Sequence, residues 1–189
     1  MSTLETNKIR PISGSTNLTI GDSGDTITLT SGAKTSGFGK IGQVLQTNKT
    51  DQFSTSSSSF IDVTGLSVSI TPSSTSSKVL VMFSIQVSNS NASYGTHIRL
   101  MRDSTEIAPD AESTGYTSSW HKFYGDTNIT NVMAYQFLDS PSSSSALSYK
   151  LQIKPQAGTS RVNKSGSDTA SQPYSHRSSS SITVMEILD

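Results

Sequence analysis

The chain has 189 residues, a formal net charge of zero, 32% hydrophobic residues and 15% charged residues. Ordinary globular domains are roughly 45–50% apolar with glycine included, so we expect one domain with a thin core. Ser and Thr make up about one third of the residues. Disordered chains usually combine high net charge with few β-branched residues, so this composition favours exposed β-structure over disorder.

Several classes of site and partner are excluded or disfavoured by the same composition. The chain has no cysteine, which excludes disulfides, thiolate metal sites and a cysteine nucleophile. Zero net charge without a basic stripe argues against a nucleic-acid partner. No apolar run opens the chain and none approaches the ~20 residues that span a bilayer, so we expect neither a signal peptide nor membrane insertion.

Residues 1–40 contain two short alternating segments around Gly21-Asp22-Ser23-Gly24. Strands this short cannot form a core alone, but three chains wrapped around an axis could each contribute one apolar edge. We therefore predict an N-terminal β segment over 1–40 that anchors a trimer, with a Gly-rich hinge from Gly32 to Gly42. Its candidate apolar contacts are Leu18, Ile20, Ile27 and Leu29.

From residue 41 the predicted strands lengthen and turn signals recur, which is typical of an antiparallel sandwich. We predict an all-β, jelly-roll-like β-sandwich over 41–189, with no helix, since no window sustains a 3.6-residue apolar period. The predicted strands are Gln43–Thr50, Ser59–Val63, Leu66–Thr71, Lys78–Ser88, Thr96–Arg102, Glu106–Ala108, Ser118–Tyr124, Thr130–Asp139, Leu147–Lys154, Ser160–Asn163 and Ser181–Leu188.

Two of these strands are apolar on both faces, at Val79 to Phe83 and Val184 to Leu188. One face of each should meet the second sheet of the sandwich. The other face needs a second cover, and a neighbouring subunit would provide it. This pattern predicts a homo-oligomer, which also suits a domain with a small core.

Several segments of the chain together carry a family resemblance. They are Leu18–Ala33, Gly37–Gln46, Phe60–Leu66, Lys78–Val81, Leu100–Asp103, Phe137–Pro141 and Ser180–Ile187. In these segments the chain resembles virion structural and tail-fibre-like proteins of marine bacteriophages of the cyanophage and pelagiphage type. The resemblance spans nearly the whole chain, but no motif in it is chemically diagnostic, and a shaft and a tail-docking domain are missing. It implies a trimeric β-sandwich on the phage surface, on either the tail or the capsid.

Catalytic patterns are weak. Gly21-Asp22-Ser23-Gly24 is similar to the nucleophile loop of trypsin-like proteases, but no histidine precedes it, so we interpret it as a tight turn. The three histidines, His97, His121 and His176, lack metal-ligand spacing. The carboxylates are scattered, and Asp103 and Asp139 are typical of turns. We expect no catalytic, cofactor-binding or metal-binding residues.

One aromatic cluster is the candidate binding loop. Aromatic rings stack on sugar faces and also anchor protein interfaces, so both a buried packing role and an exposed site for a host glycan or protein stay open. The cluster comprises Tyr116, Trp120, His121, Phe123 and Tyr124.

These observations predict a non-enzymatic phage virion protein, made in the host cytoplasm and located in the virion. We expect a homotrimeric fibre or surface-appendage subunit that contacts other virion proteins of the tail or capsid and attaches to a host surface. One alternative is a capsid decoration or tail adaptor protein without host contact. A second is a glycan-cleaving tail spike, which would need a pair of carboxylates roughly 5–9.5 Å apart.

Overall fold

The computed structural model describes residues 41–108, 126–168 and 176–188, together with the backbone of 120–122. These residues form eleven β-strands and contain no helix. The strands are β1 (Ile41–Lys49), β2 (Phe53–Thr55), β3 (Ile61–Ile70), β4 (Lys78–Asn89), β5 (Thr96–Arg102), β6 (Thr105–Ile107), β7 (Trp120–Lys122), β8 (Asn131–Asp139), β9 (Leu147–Pro155), β10 (Ser160–Val162) and β11 (Ser180–Ile187).

Sheet A is built around β4, the longest strand. One edge of β4 pairs with β8 over nine residues. The other edge pairs first with β11 and then with the short β10. Beyond them, β1 pairs with β11 and β2 pairs with β10, and every pairing is antiparallel.

Sheet B has the order β3-β9-β5, again antiparallel throughout. The second edge of β5 is shared by β6 at one end and β7 at the other. Without the short strands β2, β7 and β10, eight principal strands remain. Numbered in chain order, they run 1-8-3-6 in sheet A and 2-7-4-5 in sheet B, which is the strand order of a jelly roll.

The core lies between the two sheets and is made of alternating strand residues. Val79, Val81, Phe83, Ile85 and Val87 point inward from β4 and are buried, as the alternation in the sequence predicts. Sheet B contributes an opposing set of buried residues from four strands: Val63, Leu66, Val68, Ile70, Ile98, Leu100, Ile107, Leu147, Tyr149, Leu151 and Ile153. The predicted antiparallel jelly-roll-like sandwich is confirmed.

Most predicted strands form within one or two residues of their predicted bounds, and two predictions are wrong. The segments predicted as separate strands before and after Thr64-Gly65 are one strand, β3, whose register shifts between Asp62 and Ser67. Gly65 has a φ of 79° in this bulge, a conformation that glycine adopts without steric cost. The other error is an omission, since β2 was not predicted.

The N-terminal anchor and the boundary proposed at residue 40 lie outside the described residues. They stay predictions.

Candidate functional site

The outer face of sheet A is the side of β1, β11, β4 and β8 that points away from the core. Its longest apolar row crosses all four strands, because Val44 pairs with Met185, Met185 with Leu80, and Leu80 with Leu138. Val44 is 51% exposed and Leu138 is 47% exposed. Each of these four strands therefore contributes one apolar side chain to a continuous stripe.

Around that row the outer face of sheet A is uncharged except at Lys78. Ile41 and Ile187 extend it on one side, and Met82 and Val132 lie on the other. The remaining positions on these four strands are small or polar and neutral. They are Gln46, Asn48, Ser84, Gln86, Ala134, Gln136, Ser181 and Thr183.

Lys78, at the end of β4, is the only charged side chain on this face among the described residues of the four strands. Solvent-facing sheet surfaces normally carry charged residues. An uncharged face with an apolar stripe has the composition of an interface core, in which charged residues are depleted.

The outer face of sheet B has the opposite character. Lys150 donates a hydrogen bond to Asp62 at 2.8 Å, and Gln152 donates a second one to the same carboxylate at 2.6 Å. Arg99 donates to Gln152 and to Glu106. This network of charged side chains crosses β3, β9, β5 and β6 on the solvent side.

An aromatic ring is part of the same charged surface. The guanidinium of Arg99 lies 4.1 Å from the centre of the Phe60 ring, and the ammonium of Lys154 lies 4.9 Å from it. Both distances are within the range of cation–π attraction. The basic side chains therefore cover an apolar ring on sheet B and keep that face hydrophilic.

Sheet A directs its acidic side chains inward, and Asp139 is the clearest case. Its carboxylate is 6% exposed and accepts hydrogen bonds from Arg102 Nη1 at 2.7 and 2.8 Å and from the Tyr149 hydroxyl at 2.7 Å. Both donors belong to sheet B. The interpretation of Asp139 as a turn former is thus wrong, because its pairing with Val79 places it on the inner face, where it ties the two sheets together.

The contact of Asp139 with Arg102 and Tyr149 also affects protonation. Burial and the hydrogen bond to Asp139 raise the pKa of the Tyr149 hydroxyl, which therefore stays protonated and donates. Arg102 carries the compensating positive charge, so the buried carboxylate is both paired and hydrogen-bonded. By contrast, Asp103 does lie in a turn, with a φ of 53° between β5 and β6.

Glu186 is a second inward-facing carboxylate of sheet A, on the same face of β11 as Ile182 and Val184. It is 1% exposed and accepts hydrogen bonds from the Ser73 backbone, the Ser73 hydroxyl and the Gln43 amide at 2.6, 2.7 and 2.8 Å. Burial acts to raise the pKa of this carboxyl, but the hydrogen bonds from Gln43 and Ser73 outweigh it, and the pKa lies below its ordinary value. Glu186 thus fastens the loop before β4 and the start of β1 to β11.

The residues singled out in the sequence are only partly covered by the structure. Trp120 and His121 lie in β7, whose backbone pairs with His97 and Ile98 of β5. Tyr116, Phe123 and Tyr124 lie outside the described residues, as do Leu18, Ile20, Ile27 and Leu29. The binding-loop and anchor assignments stay predictions.

The described residues contain neither a metal-binding cluster nor a membrane-spanning helix. No three or more His, Asp or Glu side chains there are grouped so that they could hold a metal ion. That part of the chain also has no helix of a length and hydrophobicity that would cross a membrane.

Comparison with known proteins found similar solved structures but neither a matching family model nor a matching curated protein. The structure of infectious bursal disease virus Gt strain matches at 15% identity and a TM-score of 0.42, over 87% of this chain and 42% of that chain. The VP2 subviral particle of the same virus matches at 16% identity and a TM-score of 0.40, over 85% and 41%. The Gx strain structure matches at 14% and 0.37, over 87% and 46%.

This chain spans less than half the length of the chains that it matches.

The apolar stripe and the near absence of charge make the outer face of sheet A the candidate functional site. Sequence reasoning located half of it, because β4 and β11 show apolar residues on both faces. It missed Ile41, Val44, Val132 and Leu138, the most exposed apolar residues of this face on β1 and β8. The available signal was that β8, like β4, is apolar at both odd and even positions.

Proposed function

We propose that this chain is a non-enzymatic structural protein of a bacteriophage particle, a homotrimeric fibre or surface-appendage subunit that takes part in attachment to the host. The observation that carries the proposal is the outer face of sheet A, which has an apolar stripe and a single charged residue, Lys78. The resemblance of the sequence to virion proteins of marine phages supports the location in the particle.

Exposing an apolar sheet face to water is unfavourable. Burial of apolar surface contributes about 25 cal/mol per Å², and a stripe across four strands is continuous rather than scattered. Wherever the chain is made, identical copies of it are present as well. A contact between copies therefore covers the face without requiring a second gene product.

The size of the face sets how much of the contact it can supply. Four strands spaced about 4.8 Å apart, with outer residues over roughly 23 Å of strand, give on the order of 450 Å² of projected area. Stable interfaces bury about 800 Å² per partner. The outer face of sheet A would provide about half of a subunit contact, and the predicted N-terminal anchor over residues 1–40 would provide the rest.

Attachment would then operate through multiple weak contacts. Three copies present the same loops in parallel, and tethered sites can raise avidity by ~10²–10⁴ without any new chemistry. The candidate loop with Tyr116, Trp120, His121, Phe123 and Tyr124 has the side chains that would stack on a host glycan or anchor a host protein.

The native mass of the full chain tests the assembly. The chain has a mass of 20.1 kDa, so a trimer has three times that mass, about 60 kDa. We expect the V44K/L138K variant to run as a folded monomer, because both positions are about half exposed in one copy. Its melting temperature should fall only by the stabilisation that assembly provides. A lysine at Ser69, which is exposed on the outer face of sheet B, should leave the trimer intact. A monomeric wild-type chain would contradict the proposal.

The location and the role in attachment need separate experiments. Antibody raised against residues 41–189 should label intact particles, and the position of the label separates a tail fibre from a capsid decoration protein. Host envelope polysaccharide should bind the protein, and incubation of the two should release no reducing ends. Release of reducing ends would identify a glycan-cleaving spike instead.

A further inference from the structure

The free edge of β8 differs from the other sheet edges of the sandwich. β8 pairs with β4 in unbroken register from Asn131 to Asp139. Within the described residues, no strand pairs with its other edge. An edge of this kind presents a row of backbone donors and acceptors to any strand that approaches it.

Natural sheets usually protect such edges, and two edges of this molecule are protected. β3 carries a bulge and the charged Asp62, and β1 has a register shift between Ile41 and Val44. Both features hinder pairing with another chain. β8 has no bulge, and from Asn131 to Leu138 it contains no charge, glycine or proline. The free edge of β8 is therefore open to strand addition.

The sequence of β8 is also complementary to itself. If two copies of β8 run antiparallel about a two-fold axis through Tyr135, Val132 lies opposite the partner's Leu138, and Met133 lies opposite the partner's Phe137. Ala134 then faces the partner's Gln136. Val132 and Leu138 share the outer face, while Met133 and Phe137 point inward. Cross-strand pairs of apolar residues stabilise such a ladder, and this register places no like charges opposite each other.

We propose that the free edge of β8 binds β8 of a second copy, antiparallel and about a two-fold axis at Tyr135, so that two sheets A become one continuous sheet. A two-fold contact is isologous and cannot lie within a three-fold trimer. It would therefore link separate trimers. One strand pair buries far less than the ~1,600 Å² total of a standard interface, so the contact is weak in dilute solution and gains strength only where copies are held close together.

Cross-linking between introduced cysteines tests the register, since the chain has no cysteine of its own. The proposal places Ala134 opposite the partner's Gln136, at the Cα separation of about 4.5–5.5 Å that a disulfide spans. An equimolar mixture of A134C and Q136C should give cross-linked dimers under mild oxidation. Each variant alone should give few, because like positions are diagonal neighbours about 7–8 Å apart.

Charge substitution at the same two exposed positions gives a matched control. The A134K/Q136K variant would place lysine opposite lysine twice across the axis and should prevent pairing. The A134K/Q136E variant would place lysine opposite glutamate and should keep it. Both variants introduce two charges at the same sites, and the sign of the charge at position 136 decides whether the residues opposite each other repel or attract. The readout is concentration-dependent protection of the β8 amides from hydrogen exchange.

Equal cross-linking in the mixture and in the single variants would overturn the proposal, because a different register would then hold the copies together. Absence of cross-links, with β8 amide protection unchanged by dilution, would also overturn it. Failure of the β8 edge contact can be distinguished from failure of the proposed trimer. A trimer without the cross-link refutes the edge contact alone, and a cross-link between otherwise monomeric chains refutes the trimer alone.

Discussion

The two sheets of this sandwich distribute their charges in opposite ways. In the described part of sheet A, the acidic groups Asp139 and Glu186 point into the protein, and the outward side of β1, β11, β4 and β8 carries a single charged residue, Lys78. In sheet B, the Asp62–Lys150 and Arg99–Glu106 pairs lie on the solvent side. Both sheets use ordinary strand alternation, so the contrast shows that alternation separates core from surface but does not decide whether the surface is left to water.

From this contrast we expect that removing a buried acidic group from sheet A lowers the free energy of unfolding much more than removing a charged group from sheet B. The largest effect is expected from Asp139→Asn. This change leaves the guanidinium of Arg102 without its carboxylate and should lower the free energy of unfolding by about 3 kcal/mol. Urea denaturation measures it.

The matched control for Asp139→Asn is Tyr149→Phe, which removes one donor to the same carboxylate and keeps the ion pair. It should cost about 1 kcal/mol. Equal losses for the two variants would show that the ion pair contributes nothing beyond a single hydrogen bond.

A smaller, pH-dependent effect is expected from Glu186. Its pKa is depressed in the folded protein, so its contribution to stability is present above the ordinary glutamate pKa and is lost as the pH falls through the folded value. Glu186→Gln should cost about 1–2 kcal/mol at neutral pH and should lose less stability than the wild type on acidification. Thermal unfolding measured between neutral and acidic pH tests this, and parallel pH profiles for the two proteins would be contrary to it.

The smallest effect is expected on sheet B. Asp62→Asn removes an exposed ion pair with Lys150, and such pairs contribute about 0–1 kcal/mol. The loss should shrink further in high salt, because surface charges are screened. A loss as large as that of Asp139→Asn would break the comparison between the sheets.

Much of the fold followed from the sequence because period-2 alternation is a local property. The alternating residues of β4 indicated its inner face, and in β11 the buried Ile182, Val184 and Glu186 follow the same alternation. Alternation fails where direction depends on a partner strand. Asp139 precedes Ser140-Pro141 and looks like a turn residue, but its register with Val79 directs it into the core.

The candidate site was harder to predict, since exposure depends on where a strand lies in the sheet. β8 is apolar on both faces, and only its position at the edge of sheet A leaves Val132 and Leu138 about half exposed. Likewise, Thr64-Gly65 looks like a break between two strands, whereas the left-handed conformation of Gly65 lets β3 continue through a bulge. Strand order and bulges arise from long-range pairing, which single-sequence patterns do not encode.

Methionine oxidation tests the central claim most directly, because Met82 and Met185 lie on the outer face of sheet A and are only half-buried in a single copy. Met101, on sheet B, is 5% exposed and serves as an internal reference. In the assembled wild-type protein, Met82 and Met185 should oxidise as slowly as Met101, and in the V44K/L138K variant they should oxidise much faster. Rapid oxidation of Met82 and Met185 in the wild type, unchanged by the substitutions, would show that this face is open to water and would contradict the account.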